Sequence, residues 1–132
     1  MAGTPRRDLA WDEAHGGHTL ARHVGLGDRD LRARLAAEDI SAASTFMDRE
    51  TAERVVADAL ETSRAQIQRW SRRSGRRPNL VVHFRGNRDE PIGRSLRRGS
   101  RRPKTCWAAR IVLRWDEQLD QFFVLTAYPE VP

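Results

Sequence analysis

The sequence predicts an α+β protein whose N-terminal helices pack on a mostly antiparallel sheet. Apolar residues recur at helical spacing up to about residue 72, and β-branched and aromatic runs of strand length follow from residue 80. Helical and strand patterns therefore occupy separate parts of the chain instead of alternating, which is typical of α+β proteins. The length of 132 residues suits one domain. We expect a loose N-terminal segment over residues 1–14 and a single domain over residues 15–132.

Helical signals mark three segments of the first part of the chain. A short helix is expected over residues 16–24, where two apolar residues lie four apart and glycines follow. Asp28 is the expected cap of a second helix, and residues 40–46, rich in small and hydroxyl side chains, predict a packed connection. The strongest signal is one continuous apolar stripe from the cap candidate Asp48 to about Arg72, with a glycine beyond it as the stop. Its members are Ala52, Val55, Val56, Ala59, Leu60, Ile67 and Trp70.

Three strands are expected later, over residues 80–84, 109–115 and 121–128. The last two are joined by DEQLD, a polar link of hairpin length. A further short strand fits around residues 92–96, inside a basic stretch interrupted by glycines. Alternation gives the middle strand two faces, one with Ile111, Leu113 and Trp115 and the other with Arg110, Val112 and Arg114.

The charge balance favours an acidic partner. The net charge is +6, and Lys104 is the only lysine among 24 basic residues. The planar guanidinium matches the oxygens of a phosphate and binds them in pairs. A GC-rich genome explains the excess of arginine over lysine equally well, but it does not explain the net charge.

Several classes of protein are disfavoured by what the sequence lacks. Cys106 is the only cysteine, so the fold must hold without an intramolecular disulfide, and its bulky neighbours predict an inert buried thiol. No apolar run approaches the roughly 20 residues that cross a membrane. The N-terminus has no apolar core of a signal peptide, so we expect export to depend on a larger polypeptide or on separate machinery.

Metal and nucleotide motifs are also missing. The glycines fit neither a phosphate-binding loop nor a dinucleotide turn, and no GxSxG sequence occurs. His18 and His23 are five residues apart, which on a helix sets them about 140° from each other. No cysteine pair or HExxH motif accompanies them. We therefore expect no metal and no cofactor.

Metal-free cleavage of a phosphodiester needs only side chains that this sequence supplies. Three of the four histidines fall between positions 15 and 23. A neutral imidazole, with a pKa of about 6.5, accepts the proton of an RNA 2′-hydroxyl at neutral pH. A guanidinium stabilises the charge that builds on the phosphate oxygens. His18, His23, Arg22 and Arg34 are the candidates for these two roles.

An ordered set of motifs resembles one bacterial toxin family. GGHTLARHVG, an arginine eleven residues after the second histidine, ISAASTF with an aspartate two residues on, a tryptophan-terminated helix, IGRSL and VLTAYP occur in this order over about residues 15–130. Each motif alone is unspecific, whereas the ordered set is specific. Together they resemble the ribonuclease A-like toxin domain (CdiA-CT) at the C-termini of contact-dependent growth-inhibition proteins and related polymorphic toxins.

The resemblance implies a curved, RNase A-like fold without disulfides and a catalytic group of one histidine, one arginine and a Thr-x-Tyr pair. Thr126 and Tyr128 match that pair, and they share a face of a predicted strand, although this arrangement is also common in strands without catalytic roles. His23 is chosen as the histidine because Arg34 then lies at the family's spacing. His18 remains an alternative to His23, or a second catalytic histidine beside it.

The same resemblance implies metal-independent cleavage of RNA, with tRNA as one candidate substrate, to give a 2′,3′-cyclic phosphate. It implies secretion within a larger toxin or by a separate system, action in the cytoplasm of a competing bacterium, and neutralisation by a cognate immunity protein. The charge of +6 predicts an acidic immunity protein. The free toxin is expected to be a monomer.

Four arginines are candidates for binding RNA: Arg22, Arg94, Arg97 and Arg98. The last three belong, with Arg101 and Arg102, to a basic loop that is either a track for the RNA backbone or a solvated surface segment. The competing hypothesis for the whole protein is a non-catalytic basic module that binds RNA or DNA. Substituting His23 separates the two, because cleavage then disappears while affinity for RNA persists.

Overall fold

The computed structural model describes residues 6–131. The helices are α1 (Leu9–Ala14), α2 (Thr19–His23), α3 (Asp28–Ala37), α4 (Arg49–Thr62) and α5 (Arg64–Ser71). The strands are β1 (Ala42–Phe46), β2 (Leu80–Phe84), β3 (Gly93–Arg97), β4 (Lys104–Cys106), β5 (Ala108–Asp116) and β6 (Gln121–Glu130). The predicted α+β class is confirmed. None of the helices within residues 6–131 is both long enough and apolar enough to cross a membrane.

The strands form two antiparallel sheets of three, where the sequence predicted one. The first sheet has the order β1-β3-β4 and the second the order β2-β5-β6. Strand β6 also lies against β1 and β3, so the two sheets meet along it. The antiparallel pairing is confirmed.

The main hydrophobic core lies between the second sheet and helices α4 and α5. It buries Val55 and Val56 of α4, Trp70 of α5 and Ile111 and Leu113 of β5. A smaller core joins α3 to the first sheet through Leu31, Leu35, Ala43 and Leu96. The predicted two faces of β5 are confirmed, because Ile111 and Leu113 are fully buried while Arg110 and Arg114 are exposed.

The N-terminal segment is better ordered than predicted. A loose segment over residues 1–14 is wrong for residues 9–14, which form α1, and residues 1–5 lie outside the described residues. Leu9 is fully buried in the main core, and Asp12 is 1% exposed. Helix α1 has only six residues, so Leu9 and Asp12 do not form a repeating apolar pattern that the sequence could show. Their burial depends on tertiary contacts.

Two further differences accompany contacts with residues that are distant along the chain. The predicted continuous helix from Asp48 is confirmed at its cap, where the Asp48 carboxylate accepts from Thr51 N–H, but it is divided at Ser63 into α4 and α5. Trp70 of α5 packs edge-on against Trp115 of the second sheet, with ring centres 5.7 Å apart. Residues 40–46, predicted as a connection, contain strand β1, because pairing with β3 decides their conformation.

A bulge in β6 orients its C-terminal half. Val112 pairs with Thr126 while the next residue, Leu113, pairs with Val124, so Leu125 is the extra residue. Without it, Val124 and Thr126 would share a face. With it, Val124 faces the core and Thr126 and Tyr128 face away from it. The N-terminal region secures the bulge, because the His18 N–H donates to the Leu125 carbonyl at 2.9 Å.

Candidate active site

A cleft of about 550 Å³ lies where β6 meets the first sheet. His23 of α2, Arg34 of α3 and Tyr128 of β6 line one part of it. The sequence predicted all three as catalytic residues, and two consecutive helices and the distant strand β6 bring them together. The rest of the cleft is bordered by strands β1, β3 and β4, by the loop before β4 and by the C-terminal end of β6, where Glu130 is the one carboxylate among the described residues that line it.

His23 is buried at the end of α2, with 9% of its surface exposed. Its Nδ1 lies 3.3 Å from the Ser44 carbonyl. A carbonyl only accepts, so this contact assigns the proton to Nδ1 and leaves the Nε2 lone pair available. Burial lowers the pKa of His23 to about 4, and the nearby positive charge of Arg34 acts in the same direction, against the Ser44 hydrogen bond. The imidazole is therefore neutral at physiological pH.

His18 lies behind His23, at the N-terminus of α2. The two ring centres are 6.4 Å apart, and His18 is not among the residues that line the cleft. Burial lowers the pKa of His18, and the charges of Arg22 and Arg34 lower it further against the opposing effect of Glu13. Its backbone holds the β6 bulge, as described above, which is a structural role for this position.

Arg34 is held by a carboxylate that the sequence analysis did not single out. Arg34 Nε donates to Glu38 Oε2 at 2.9 Å, and the other oxygen of Glu38 pairs with Arg22. Arg34 Nη1 also donates to the Arg22 carbonyl at 3.3 Å. The Arg34 hydrogen bond lowers the pKa of Glu38, so this carboxylate is ionised. These contacts orient the guanidinium and leave Nη2 without a partner among residues 6–131, free to bind an anion.

The predicted Thr-x-Tyr pair stands on the outward face of β6, beside His23. The ring centre of Tyr128 is 5.3 Å from that of His23. The hydroxyl of Thr126 is buried and has no hydrogen-bond partner within the part of the chain that the structure describes. Thr126 itself is not among the residues that line the cleft, and it stands two residues before Tyr128 on the same face of β6.

The four arginines predicted to bind RNA separate into two groups. Arg97 lines the cleft and has no ion-pair partner within residues 6–131. The other three are engaged in the protein. Arg22 pairs with Glu38, Arg94 pairs with Asp28 and donates to the Leu26 carbonyl, and Arg98 donates to three backbone carbonyls around the C-terminal end of α3.

The cleft contains polar residues that sequence reasoning missed. Lys104 lines it beside Arg97 and beside Arg102, which the sequence had already placed in the basic loop offered as a track for the RNA backbone, and no carboxylate of the described region pairs with Arg102 or Lys104. Ser44 and Ser95, paired across β1 and β3, also line it and are more than nine-tenths buried. Only Glu38 had a signal in the sequence, because it stands four residues after Arg34 and so shares a helical face with it. The others depend on strand pairing that no local pattern encodes.

The structure offers no obvious metal site in the region it describes. Within residues 6–131, no three side chains of histidine, cysteine, aspartate or glutamate cluster as metal ligands would. Cys106 is buried, as predicted, and burial raises the pKa of its thiol to about 11.

Comparison with known proteins identifies relatives of this chain. The family described as Bacterial CdiA-CT RNAse A domain matches residues 17–129. A solved structure, described as the crystal structure of a CdiA-CT/CdiI complex from Y. kristensenii 33638, is 31% identical in sequence and superimposes with a TM-score of 0.78. The similarity covers 87% of this chain and 100% of that chain. The chain has no match among curated proteins.

Proposed function

The chain belongs to the bacterial CdiA-CT RNase A domain family, and from this premise we propose that it is a metal-independent endoribonuclease that attacks RNA through the 2′-hydroxyl. The observation that carries the proposal is the buried, neutral His23 within one cleft with Arg34 and Tyr128. The ribonuclease class follows from the family. The contacts of these three side chains and of Thr126 support the mechanism.

His23 is the general base. Its Nδ1–H is directed at the Ser44 carbonyl, so Nε2 takes the proton of the 2′-hydroxyl. The 2′ oxygen then attacks the adjacent phosphorus, the bond from phosphorus to the 5′ oxygen breaks, and a 2′,3′-cyclic phosphate forms. DNA lacks the 2′-hydroxyl, so it binds without being cut. A pKa near 4 makes a weak base in the free protein, and the negative charge of bound phosphate favours the imidazolium that forms during the reaction.

Arg34 stabilises the charge of the pentacoordinate phosphate. Because Glu38 and the Arg22 carbonyl already hold Nε and Nη1, the guanidinium is preorganised and little reorientation is needed when the phosphate binds. Tyr128 donates its hydroxyl proton to a phosphate oxygen or to the departing 5′ oxygen. Thr126, whose hydroxyl has no partner in the described region, bonds to the phosphate or to a base edge.

His18 acts mainly as a positioning residue in this proposal. Its ring stands outside the lining of the cleft, and its backbone supports the bulge that presents Thr126 and Tyr128. His18 also adds to the positive surroundings that lower the pKa of His23. A substitution of the His18 side chain retains this backbone hydrogen bond and is therefore expected to preserve most of the cleavage activity.

Arg97, Arg102 and Lys104 bind the RNA backbone along the wall of the cleft. Ion pairing within the described region does not engage these three cations, so they are available to phosphates. Arg22 contributes through Glu38, whereas Arg94 and Arg98 are assigned structural roles because backbone carbonyls hold them. Of the four arginines expected to bind RNA, Arg97 alone keeps that role in this proposal.

The biological setting follows by analogy with the relatives. CdiA-CT domains are toxins delivered between bacteria as part of larger proteins, and the related structure contains a CdiI partner. We infer that this chain acts in the cytoplasm of a competing cell and is neutralised by a cognate immunity protein. A net charge of +6 and a cationic cleft favour an acidic partner. The free domain is proposed to be a monomer.

The first test is cleavage of total bacterial RNA in the presence of EDTA, by the wild-type chain and by His23→Ala and His18→Ala variants. His15→Ala is the matched control, because His15 lies nearby but bonds to the Trp11 carbonyl and faces no cleft residue. We expect cleavage that survives EDTA and leaves cyclic phosphate ends. Activity should fall by about three orders of magnitude with His23→Ala and remain unchanged with His15→Ala.

Other outcomes contradict specific parts of the proposal. Cleavage that requires added metal would overturn the metal-independent mechanism but not the ribonuclease class. Loss of activity with His18→Ala but not with His23→Ala would exchange the two roles. Intact RNA bound tightly by a folded wild-type protein would favour the alternative function, a non-catalytic module that binds RNA or DNA.

A further inference from the structure

The outer face of the second sheet continues the surface on which Tyr128 stands. Backbone pairing places Arg110 opposite Tyr128, and His83 opposite Arg110. Neighbouring strands are about 4.8 Å apart, so these three side chains form a row about 10 Å long across β6, β5 and β2. Helix α2 lies against β6 and β1. The row therefore leads away from His23, on the side opposite to the first sheet.

Arg110 and His83 are exposed and share one carboxylate. Glu130 Oε2 lies 3.3 Å from Arg110 Nε, and Glu130 Oε1 lies 3.4 Å from His83 Nδ1. The side chains of Arg110 and His83 are 44% and 51% exposed. Within residues 6–131, no other acceptor binds the Arg110 guanidinium, so its Nη groups remain available to an anion. The proposed mechanism uses none of these residues.

A parallel row beside this one is largely apolar. Thr126 pairs with Val112, and Val112 pairs with Val81, two residues along from Tyr128, Arg110 and His83 on each strand. Val81 is 38% exposed and Val112 is half-buried, so both valines are open to solvent. A row of hydrogen-bond donors beside a largely apolar row has the two chemistries of a nucleotide, whose phosphate needs donors and whose base needs an apolar surface.

We propose that the face formed by Arg110, His83, Val81 and Val112 binds the nucleotide that adjoins the cut, on the side remote from the first sheet. The inference rests on the proposed cleavage of RNA. Arg110 holds the phosphate of that nucleotide, His83 supplies a second donor, and the two valines support its base. Glu130 opposes binding, because its carboxylate competes with the phosphate for Arg110 and His83. In this arrangement the RNA is cut beside β6, and the adjoining nucleotide lies over β5.

The test compares oligonucleotides around a cut site mapped on bacterial RNA. The parent octanucleotide carries one ribonucleotide, at the cut, among deoxynucleotides, and two shorter versions retain a single nucleotide on the 5′ or the 3′ side. Arg110→Gln should lower kcat/KM for the parent about tenfold, and His83→Gln by less. On one of the two shortened substrates both variants should match the wild-type chain, because the single nucleotide retained on that side, without a terminal phosphate, lacks the second phosphate that Arg110 and His83 contact.

Two more variants serve as a control and as a test of the competing carboxylate. Arg69→Gln is the matched control, because Arg69 is exposed on α5, which packs on the opposite face of the second sheet. Its kcat/KM should equal that of the wild-type chain on every substrate. Glu130→Gln removes the competing carboxylate, which also lines the cleft, and should raise affinity for the all-deoxy octanucleotide about threefold. The gain should shrink when Arg110→Gln is also present, because the carboxylate then no longer competes for Arg110.

Each alternative result has a distinct meaning. Equal losses on all three substrates, or no loss on any, would overturn the proposed face. Affinity for the all-deoxy octanucleotide, which cannot be cut, reports on the face without catalysis, so a wild-type chain that binds it but cleaves no RNA would overturn the proposed function alone. Variants that cleave normally but lose affinity for the immunity protein would show a protein interface and overturn the proposal.

Discussion

At the scale of single residues, the environment of His23 decides its chemistry. The sequence shows an ordinary histidine among three that are close together. Burial under β1 lowers its pKa to about 4 and the Ser44 carbonyl selects its tautomer. Glu38 has a similar influence on Arg34, because it restricts the guanidinium to one orientation. Both effects come from neighbours that are distant in sequence or unremarkable in it.

The depressed pKa of His23 predicts a loss of stability in mild acid. In the unfolded chain this imidazole takes up a proton below a pH of about 6.5, while in the folded protein it stays neutral down to about pH 4. The unfolded state therefore binds more protons in this window, and the free energy of unfolding falls as the pH falls. By pH 5 the contribution amounts to about 2 kcal/mol.

Urea unfolding at pH 7 and at pH 5 measures this pH dependence of the free energy of unfolding. His23→Gln should remove about 2 kcal/mol of the difference between the two pH values, whereas the control His15→Gln should preserve it. Both substitutions replace a histidine that bonds to a backbone carbonyl by a neutral donor. An unchanged pH dependence in the His23→Gln variant would show that His23 titrates normally in the folded protein.

At the scale of elements, the bulge in β6 and the segment before α2 act together. Asp12 accepts from the Val124 N–H at 2.7 Å and is itself paired with Arg7, so helix α1 is tied to the strand just before the bulge. Gly17 fits tightly between them, because a Cβ at this position would lie 2.4 Å from the Val124 carbonyl oxygen. The orientation of Thr126 and Tyr128 therefore depends on a glycine that has no role in the chemistry.

Gly17→Ala is expected to displace β6 and to reduce both stability and cleavage. The added methyl group meets backbone atoms that cannot move without disturbing the bulge, at a cost of about 2 kcal/mol. Gly27→Ala is the control, because Gly27 also precedes a helix and the nearest atom to its added Cβ is 3.6 Å away. Thermal unfolding and RNA cleavage measure the two effects. Equal behaviour of the two variants would refute the tight packing at Gly17.

At the scale of the whole molecule, the distribution of charge matters more than its total. Carboxylates or carbonyls engage Arg22, Arg94 and Arg98, while Arg97, Arg102 and Lys104 stand along the cleft without ion-pair partners in residues 6–131. Affinity for RNA should accordingly depend on which positive charges are removed. The salt dependence of that affinity should show how many of them contact phosphates.

Two triple variants with the same net charge test this. Neutralising Arg97, Arg102 and Lys104 to Gln lowers the charge from +6 to +3, and neutralising Arg69, Arg72 and Arg73 to Gln does the same at the exposed end of α5. The slope of log Kd against log salt concentration should fall by about three units in the cleft variant only. Equal slopes in the two variants would mean that total charge, not the cleft, controls affinity for RNA.

The sequence by itself determined the fold class, most element positions and the identities of the leading catalytic candidates. Helical periodicity located the helix cap at Asp48, and β-branched runs located β2, β5 and β6, because both signals are local. The spacing of His23 to Arg34 and the pair Thr126 and Tyr128 are likewise legible along the chain, and the structure brings His23, Arg34 and Tyr128 into one cleft.

Only the tertiary structure decided which cations face the cleft, which carboxylate orients Arg34 and which face of β6 is presented. Arg94, Arg97 and Arg98 look alike in the sequence, yet Arg97 alone of the three lines the cleft, because strand register and the end of α3 engage the other two. The bulge at Leu125 reverses the alternation of β6 in one step. Such outcomes depend on contacts between residues far apart along the chain, which no local pattern records.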